Sequence, residues 1–346
     1  MIDTFVLKYV LDRQQRGRIY EAVNRFVRAC GSTEFLHPDR NTKGARRNRY
    51  ITSAFNPMGI LELAVKDCMY PGNYGSRVSI KCKPALVLHA DDMYALSSCI
   101  DYDAAVVMVN DFIMELNVYM EDAPLPLLGG WEVSRIDYAF QFRTEEYRLY
   151  LMFLRKGCSF REDKYDDSVY IKNSKCTVNF YDKTRQLGLE EVSHMLRFEV
   201  QCHRDYLFKM LNDERIGSLR LYELWDEKLA LSIVTKRIGK LTGYGNFYSL
   251  EKAGAVLQKA CRISGDEREA LLQLMGVSLH PAVRRESQWD LFAVQIENED
   301  RDGSLRKRLE RVLDRLEMNQ MAIPVRRRVA FLKNPARVIM ELFGNV

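Results

Sequence analysis

Two stretches of this chain constrain its fold more than any other. From Glu132 to Arg143, Ile136, Tyr138, Phe140 and Phe142 recur at every second position, with Arg135, Asp137, Ala139 and Gln141 between them. From Met195 to His203, Leu196, Phe198, Val200 and Cys202 alternate with Arg197, Glu199, Gln201 and His203. A period of two is the signature of a strand with unlike faces. Each stretch therefore sets a carboxylate in the middle of a polar face. Aspartate is a poor strand former, so Asp137 needs a reason to be there. One reason is a buried ion pair with a neighbouring arginine. Another is a polar floor built from both strands, whose carboxylates, with the His203 imidazole, suit a divalent cation of the Mg²⁺ or Mn²⁺ type. A solvated sheet face with cross-strand ion pairs would show the same pattern.

The rest of the chain supplies partners for these strands. Ile2 to Val10 is strand-like and Arg18 to Cys30 has helical spacing. Gly59 to Lys66 and Arg77 to Lys83 read as a hairpin, joined by a turn-rich loop with Pro71, Gly72, Asn73 and Gly75. Asp101 to Val118 is an amphipathic helix, and Ser168 to Lys183 a second hairpin turning at Lys172-Asn173-Ser174. From Asp205 onward the spacing is helical, in segments 205–238, 249–263, 266–276, 304–320 and 330–343. The expected fold is α+β, a central, mostly antiparallel sheet flanked by helices, followed by an all-helical C-terminal part. The expected division is a domain over 1–210 and a helical region over 211–346.

Alternation in the second hairpin puts Lys175, Thr177, Asn179, Tyr181 and Lys183 on one face and Cys176, Val178 and Phe180 on the other. A tyrosine with a lysine two residues on, beside a cation site, is suited to phosphoryl transfer. The phenolate attacks phosphorus and the ammonium offsets charge in the transition state. Without the carboxylates, Tyr181 would be one of 18 tyrosines in a strand.

Composition narrows the class without naming a function. A net charge of +5 permits a nucleic-acid partner, but clustering decides phosphate binding. One basic cluster, Lys43, Arg46, Arg47 and Arg49 with Tyr50 at its end, is suited to tracking phosphates, or is an ordinary charged loop. Arg326, Arg327 and Arg328 form a second basic run. Eight cysteines with no Cys-x-x-Cys pair exclude a zinc ribbon and read as reduced thiols of a cytoplasmic protein. No signal-peptide pattern or membrane-length apolar run is expected. Asp91-Asp92 reads as a helix end or cap.

With these residues in view, the sequence resembles the gene-two type rolling-circle replication initiators of filamentous phages and related plasmids. The resemblance rests on Met-Ile-Asp-Thr-Phe-Val-Leu-Lys at the start, Val78 to Leu88, Val133-Ser-Arg-Ile-Asp-Tyr-Ala-Phe140, Thr177-Val-Asn-Phe-Tyr-Asp-Lys183 and Leu196-Arg-Phe-Glu-Val200. These blocks lie in the family's order within residues 1–210, with a looser match near Ala322-Ile-Pro-Val325. The resemblance implies a nicking and joining endonuclease with Tyr181 as nucleophile, Lys183 as its partner, and Asp137 and Glu199 as ligands of Mg²⁺ or Mn²⁺. His203 joins the ligands by strand alternation alone. Origin DNA, single-stranded or a hairpin, is the implied partner, met through Lys43, Arg46, Arg47, Arg49, Arg135 and Arg197 and the helical half. Host helicase and polymerase, and a possible homo-oligomer at the origin, follow from the same resemblance, as does the bacterial cytoplasm.

The sequence departs from the family in having Ala90-Asp91-Asp92 where Gly-x-Asn is usual. It also lacks the His-apolar-His strand of the better-known histidine-pair (HUH) nickases, so the fold expected is HUH-nuclease-like without that pair. Two other readings fit parts of the pattern. A non-catalytic origin-binding initiator would use the sheet as scaffold only. A tyrosine recombinase would use His194-Met-Leu-Arg197, but needs its tyrosine on a helix well downstream. Tyr170 is a candidate second tyrosine for religation.

Overall fold

The computed structural model describes residues 1–39, 49–70, 73–156, 168–279, 288–295 and 304–344. Nine strands form one sheet: β1 Ile2–Val10, β2 His37–Pro38, β3 Arg49–Thr52, β4 Ile60–Tyr70, β5 Asn73–Cys82, β6 Glu132–Thr144, β7 Ser168–Lys172, β8 Cys176–Asp182 and β9 His194–His203. Their order is β2-β3-β4-β5-β1-β6-β9-β8-β7. The pairs from β2 through β6 are antiparallel. The two carboxylate-bearing strands, β6 and β9, are direct neighbours in the sheet. The α+β class and the mostly antiparallel sheet read from the sequence are therefore those of the structure.

The helices of the first two-thirds are α1 Arg13–Ala29, α2 Ala85–Leu88, α3 Tyr102–Met120, α4 Tyr147–Lys156, α5 Lys183–Gln186, α6 Arg204–Asn212 and α7 Leu221–Leu224. Local chemistry sets their ends. Asp12 caps α1 in a reciprocal box with Gln15, satisfying two amides that the first turn leaves open. Pro84 follows β5 and opens α2, so the chain passes through a proline from strand to helix. Asp92 accepts the Tyr94 amide, so the Asp91-Asp92 pair closes a turn.

Two compact units emerge, interleaved along the chain. The first holds 1–139, 172–177 and 199–230; the second holds 140–171, 178–198 and 231–346. Neither coincides with a segment cut at residue 210, because β6, β8 and β9 each run through residues of both. The first has an aromatic centre where Phe26 of α1 stacks on Phe55 at 4.8 Å and Phe112 of α3 meets Phe55 edge-on at 5.1 Å. Such ring pairs add about 0.5–1.5 kcal/mol each beyond the area they bury.

In the second unit, helices α8 Glu227–Thr242 (from residue 231), α9 Leu250–Lys259, α10 Gly265–Val277, α11 Gln288–Gln295, α12 Ser304–Arg315 and α13 Pro335–Phe343 are joined by three short strands. These are β10 Asn246–Ser249, β11 Met318–Ile323 and β12 Phe331–Leu332, in the order β11-β10-β12. The all-helical expectation for the C-terminal part is corrected to mainly helical with a small sheet. Strands of two to six residues are too short to show a period. The helical reading of 304–320 overran because α12 stops at Arg315 and Glu317 turns left-handed, at φ 53°. Gly245 lets β11 approach, since a Cβ there would run into the Met318 carbonyl.

One further correction concerns the first hairpin. Its strands pair as far as Tyr70 with Asn73, so Asn73 and Gly75 are strand residues. Only positions 71 and 72 connect them, and these lie outside the described residues.

Candidate active site

In the first unit the polar floor is built from β1, β6 and β9. Thr4 pairs with Asp137 across β1 and β6, and its hydroxyl donates to Asp137 Oδ2. Arg135, two residues earlier on the same face, closes a fork on the same carboxylate, with Nε 2.7 Å from Oδ1 and Nη2 2.5 Å from Oδ2. Asp137 is 1% exposed. An unpaired carboxylate so deep would be costly, and the guanidinium with the hydroxyl offsets that cost. Burial pulls its pKa upward, opposed by Arg135 and Thr4. The buried ion pair read as one option for Asp137 is thus present.

Glu199 on β9 is also buried and has a weaker partner. Gln201 Nε2 donates to its Oε1 at 2.7 Å. Burial, together with the negative charges of Asp3 and Asp137, pushes the Glu199 carboxyl up to about 7. Asp3 is buried on β1 and forms an ion pair with Lys83 at 3.3 Å. Three acids, Asp3, Asp137 and Glu199, therefore act on one another through their charges, and the cations of Arg135 and Lys83 offset part of that repulsion. The sequence reading missed Asp3 as a member. The signal was an acid set inside the strand Ile2-Asp3-Thr4-Phe5, where aspartate is a poor strand former.

His203 ends β9 with Nε2 2.9 Å from the Thr177 hydroxyl. Partial burial and the charge of Arg135 hold its pKa below the ordinary value, which favours the neutral ring. Among the described residues no three His, Cys, Asp or Glu side chains are grouped closely enough to hold a metal ion. Carboxylate oxygens such as those of Asp137 and Glu199 are the donor type a hard cation takes, and both Asp137 oxygens are already bonded, to Arg135 and to Thr4. Arg135, expected as a DNA contact, is engaged by Asp137 instead.

In the second unit, Tyr181 lies near the end of β8 and is 8% exposed. Directly after it, the strand converts to α5 through a tightly bonded turn. Asp182 caps that helix by accepting the Arg185 amide at 3.2 Å. Its other oxygen lies 2.6 Å from Nδ1 of His194, whose ring stacks on Tyr147 at a centroid distance of 4.0 Å. Thr184 accepts the Met195 amide at 2.8 Å. Lys183, largely buried, donates from Nζ to Gln186 Oε1 at 2.8 Å. The Asp182–His194 pair was not foreseen, because the two residues lie twelve positions apart and belong to different strands.

Arg197 is 1% exposed and donates from Nε to Gln141 Oε1 at 2.8 Å, so its guanidinium is a buried group and not a surface phosphate contact. Arg49 is bound to Asp39 and Glu62. Lys43, Arg46 and Arg47 lie outside the described residues. Tyr170 is half-buried on β7. Arg326, Arg327 and Arg328 are exposed on the segment following β11. No described helix is long and apolar enough to cross a membrane.

No family model matches the chain, and no curated protein matches it. Among solved structures, a rolling-circle replication initiator protein from Geobacillus stearothermophilus aligns over 62% of this chain and 79% of its own, at 11% identity and a TM-score of 0.26. A likeness that slight carries no weight for fold or function, which rest on the residues themselves.

Proposed function

We propose that this chain initiates rolling-circle DNA replication by nicking one strand through Tyr181, assisted by a divalent cation. The observation that carries the reading is the pair of buried acids Asp137 and Glu199 on the neighbouring strands β6 and β9, where burial first, and the charges of Asp3 and Asp137 after it, lift Glu199 to about 7. Burying three acids together costs stability, and functional sites are where such costs are retained. Asp137 and Glu199 would hold the cation, with His203 beside them, and the ion would polarise the scissile phosphate.

The residues of the chain account for the remaining chemistry. The Tyr181 oxygen attacks phosphorus and the bond to the 3′ oxygen breaks. The phenol proton is lost and the leaving oxygen gains one, giving a 3′-hydroxyl and a 5′-phosphotyrosyl ester. A phenol titrates near 10, so it needs a neighbouring positive charge to react at neutral pH. Lys183 is the group the sequence offers for this. Asp182 and His194 fix the turn that joins the two. Religation is the reverse reaction, in which a 3′-hydroxyl attacks the ester and frees Tyr181.

The test is a labelled single-stranded origin oligonucleotide incubated with Mn²⁺ and resolved on a denaturing gel. A covalent adduct is expected from the wild-type chain and none from Tyr181→Phe. An adduct of undiminished yield from Tyr181→Phe would overturn the reading.

A further inference from the structure

The first unit contains a cavity of about 210 Å³ that plays no part in the chemistry above. Lys8, Arg77, Arg204 and Arg220 line it, and Glu132 is the one acid among its lining residues. The register of the sheet explains the gathering. Lys8 pairs with Glu132 on one side and Ser79 on the other, and Val10 pairs with Arg77. Directly paired residues share a face, as do residues two apart, so Lys8, Val10, Arg77 and Glu132 all project the same way.

Two of the cations are held in place. Arg220 donates from Nη1 to the Trp131 carbonyl at 2.8 Å. Arg204 lies over the Phe208 ring at 5.0 Å and reaches Glu132 at 3.8 Å. Arg204 is also the first residue of α6, a nine-residue helix whose N-terminus no side chain caps. A cation at that end opposes the helix dipole, whereas an anion there would meet both the dipole and open amides. Like charges drawn together in a concave site, beside a helix start that favours negative charge, are costs that one bound phosphate group relieves.

We propose that this pocket is a phosphate site that grips the sugar–phosphate backbone of the DNA strand on which the protein acts. The assignment rests on the reading of the chain as a DNA-nicking protein and adds to it a named contact surface. Val10, 58% exposed beside these cations, gives the apolar part of the nucleotide something to rest on.

The experiment is a fluorescence-anisotropy titration of the full chain with a labelled single-stranded oligonucleotide, in chelator so that no transesterification competes, across a salt series. Arg77→Ala/Arg204→Ala should bind about ten-fold more weakly or worse, with the salt slope reduced by roughly 0.7 for each phosphate no longer neutralised. Arg77→Lys/Arg204→Lys should keep most of the slope, since the charges remain. Arg13→Ala/Lys228→Ala removes two exposed cations elsewhere and should bind as the wild type does. Circular dichroism should show Arg77→Ala/Arg204→Ala folded as the wild type is, so that a loss of binding reports on the pocket. Unchanged affinity, weaker binding with an unchanged slope, or an equal loss in Arg13→Ala/Lys228→Ala would each overturn the assignment. Competition by free pyrophosphate without weakened oligonucleotide binding in the variant would assign the pocket to small phosphorylated molecules and overturn it too. The adduct assay with wild-type protein is separate. If no adduct forms while the pocket variant loses binding, the nicking reading falls and the phosphate site stands. If the adduct forms while the pocket variant binds as the wild type does, the phosphate site falls and the nicking reading stands.

Discussion

The carboxylate cluster of the first unit and the Tyr181 turn of the second handle polar groups in opposite ways. Around Tyr181, Asp182, Lys183, Thr184 and His194 each have a neutral or opposite partner, and the backbone there is tied to the start of β9. Around Glu199, the negative charges of Asp3 and Asp137 add to the effect of burial, even though Asp3 pairs with Lys83 and Asp137 with Arg135. A satisfied network holds a geometry. A frustrated one has affinity in reserve for something that will neutralise it. On the proposed reading, the second unit's turn would position a nucleophile and the first unit's cluster would take up a cation.

The hardest test of that contrast is the nucleophile itself. Tyr181→Phe should lower covalent adduct formation by about 10³-fold or more, because on the proposed reading Tyr181 supplies the attacking oxygen. Next in size, Glu199→Gln should lower Mn²⁺ affinity by about ten-fold or more, read by isothermal titration, since it deletes half of the acid pair offered to the ion. An unchanged affinity would move the cation elsewhere and break the comparison.

A smaller effect is expected from the turn. His194→Ala should slow the single-turnover rate by roughly ten-fold while leaving oligonucleotide affinity within about two-fold, because a displaced nucleophile costs rate and not binding. His194→Gln, which can still donate to Asp182, should recover part of that rate. A purely structural role would instead lower stability without separating rate from affinity.

The smallest effect is a stability term with a defined sign. The folded chain holds the Glu199 proton up to about 7, against an ordinary value of 4.5. The unfolded chain releases it first as pH rises, so this term is fully favourable below about 4.5 and is lost between about 4.5 and 7. Over that window the cation-free wild type should lose a few degrees of unfolding temperature relative to Glu199→Gln, then run parallel to it above. Added Mn²⁺ should remove most of the difference in the wild type by relieving the same repulsion.

Much of the framework was legible in the residues. Ile2–Val10 forms β1 with the bounds its apolar pattern suggests, and β6 and β9 follow their alternation closely. Alternation also put Asp137 with Arg135, and Glu199 with Gln201, on shared faces, where their side chains meet. Asp3 was visible only as an acid inside a strand. Its place in the cluster depends on β1 lying between β5 and β6, which no local pattern encodes. The Asp182–His194 bond and the cations of the pocket were hidden for the same reason. They join residues brought together by sheet order and by a strand running into a helix. The C-terminal strands escaped because two to six residues cannot display a period.

By itself, then, the sequence determined the strands that carry chemistry and the face on which each side chain sits, because a pleated strand leaves a side chain only two directions. Only the tertiary structure decided which strands are neighbours. With that came which acids repel, which histidine holds the turn after Tyr181 and which cations share a cavity. Such energies depend on distance and burial, and neither exists until the chain has closed on itself.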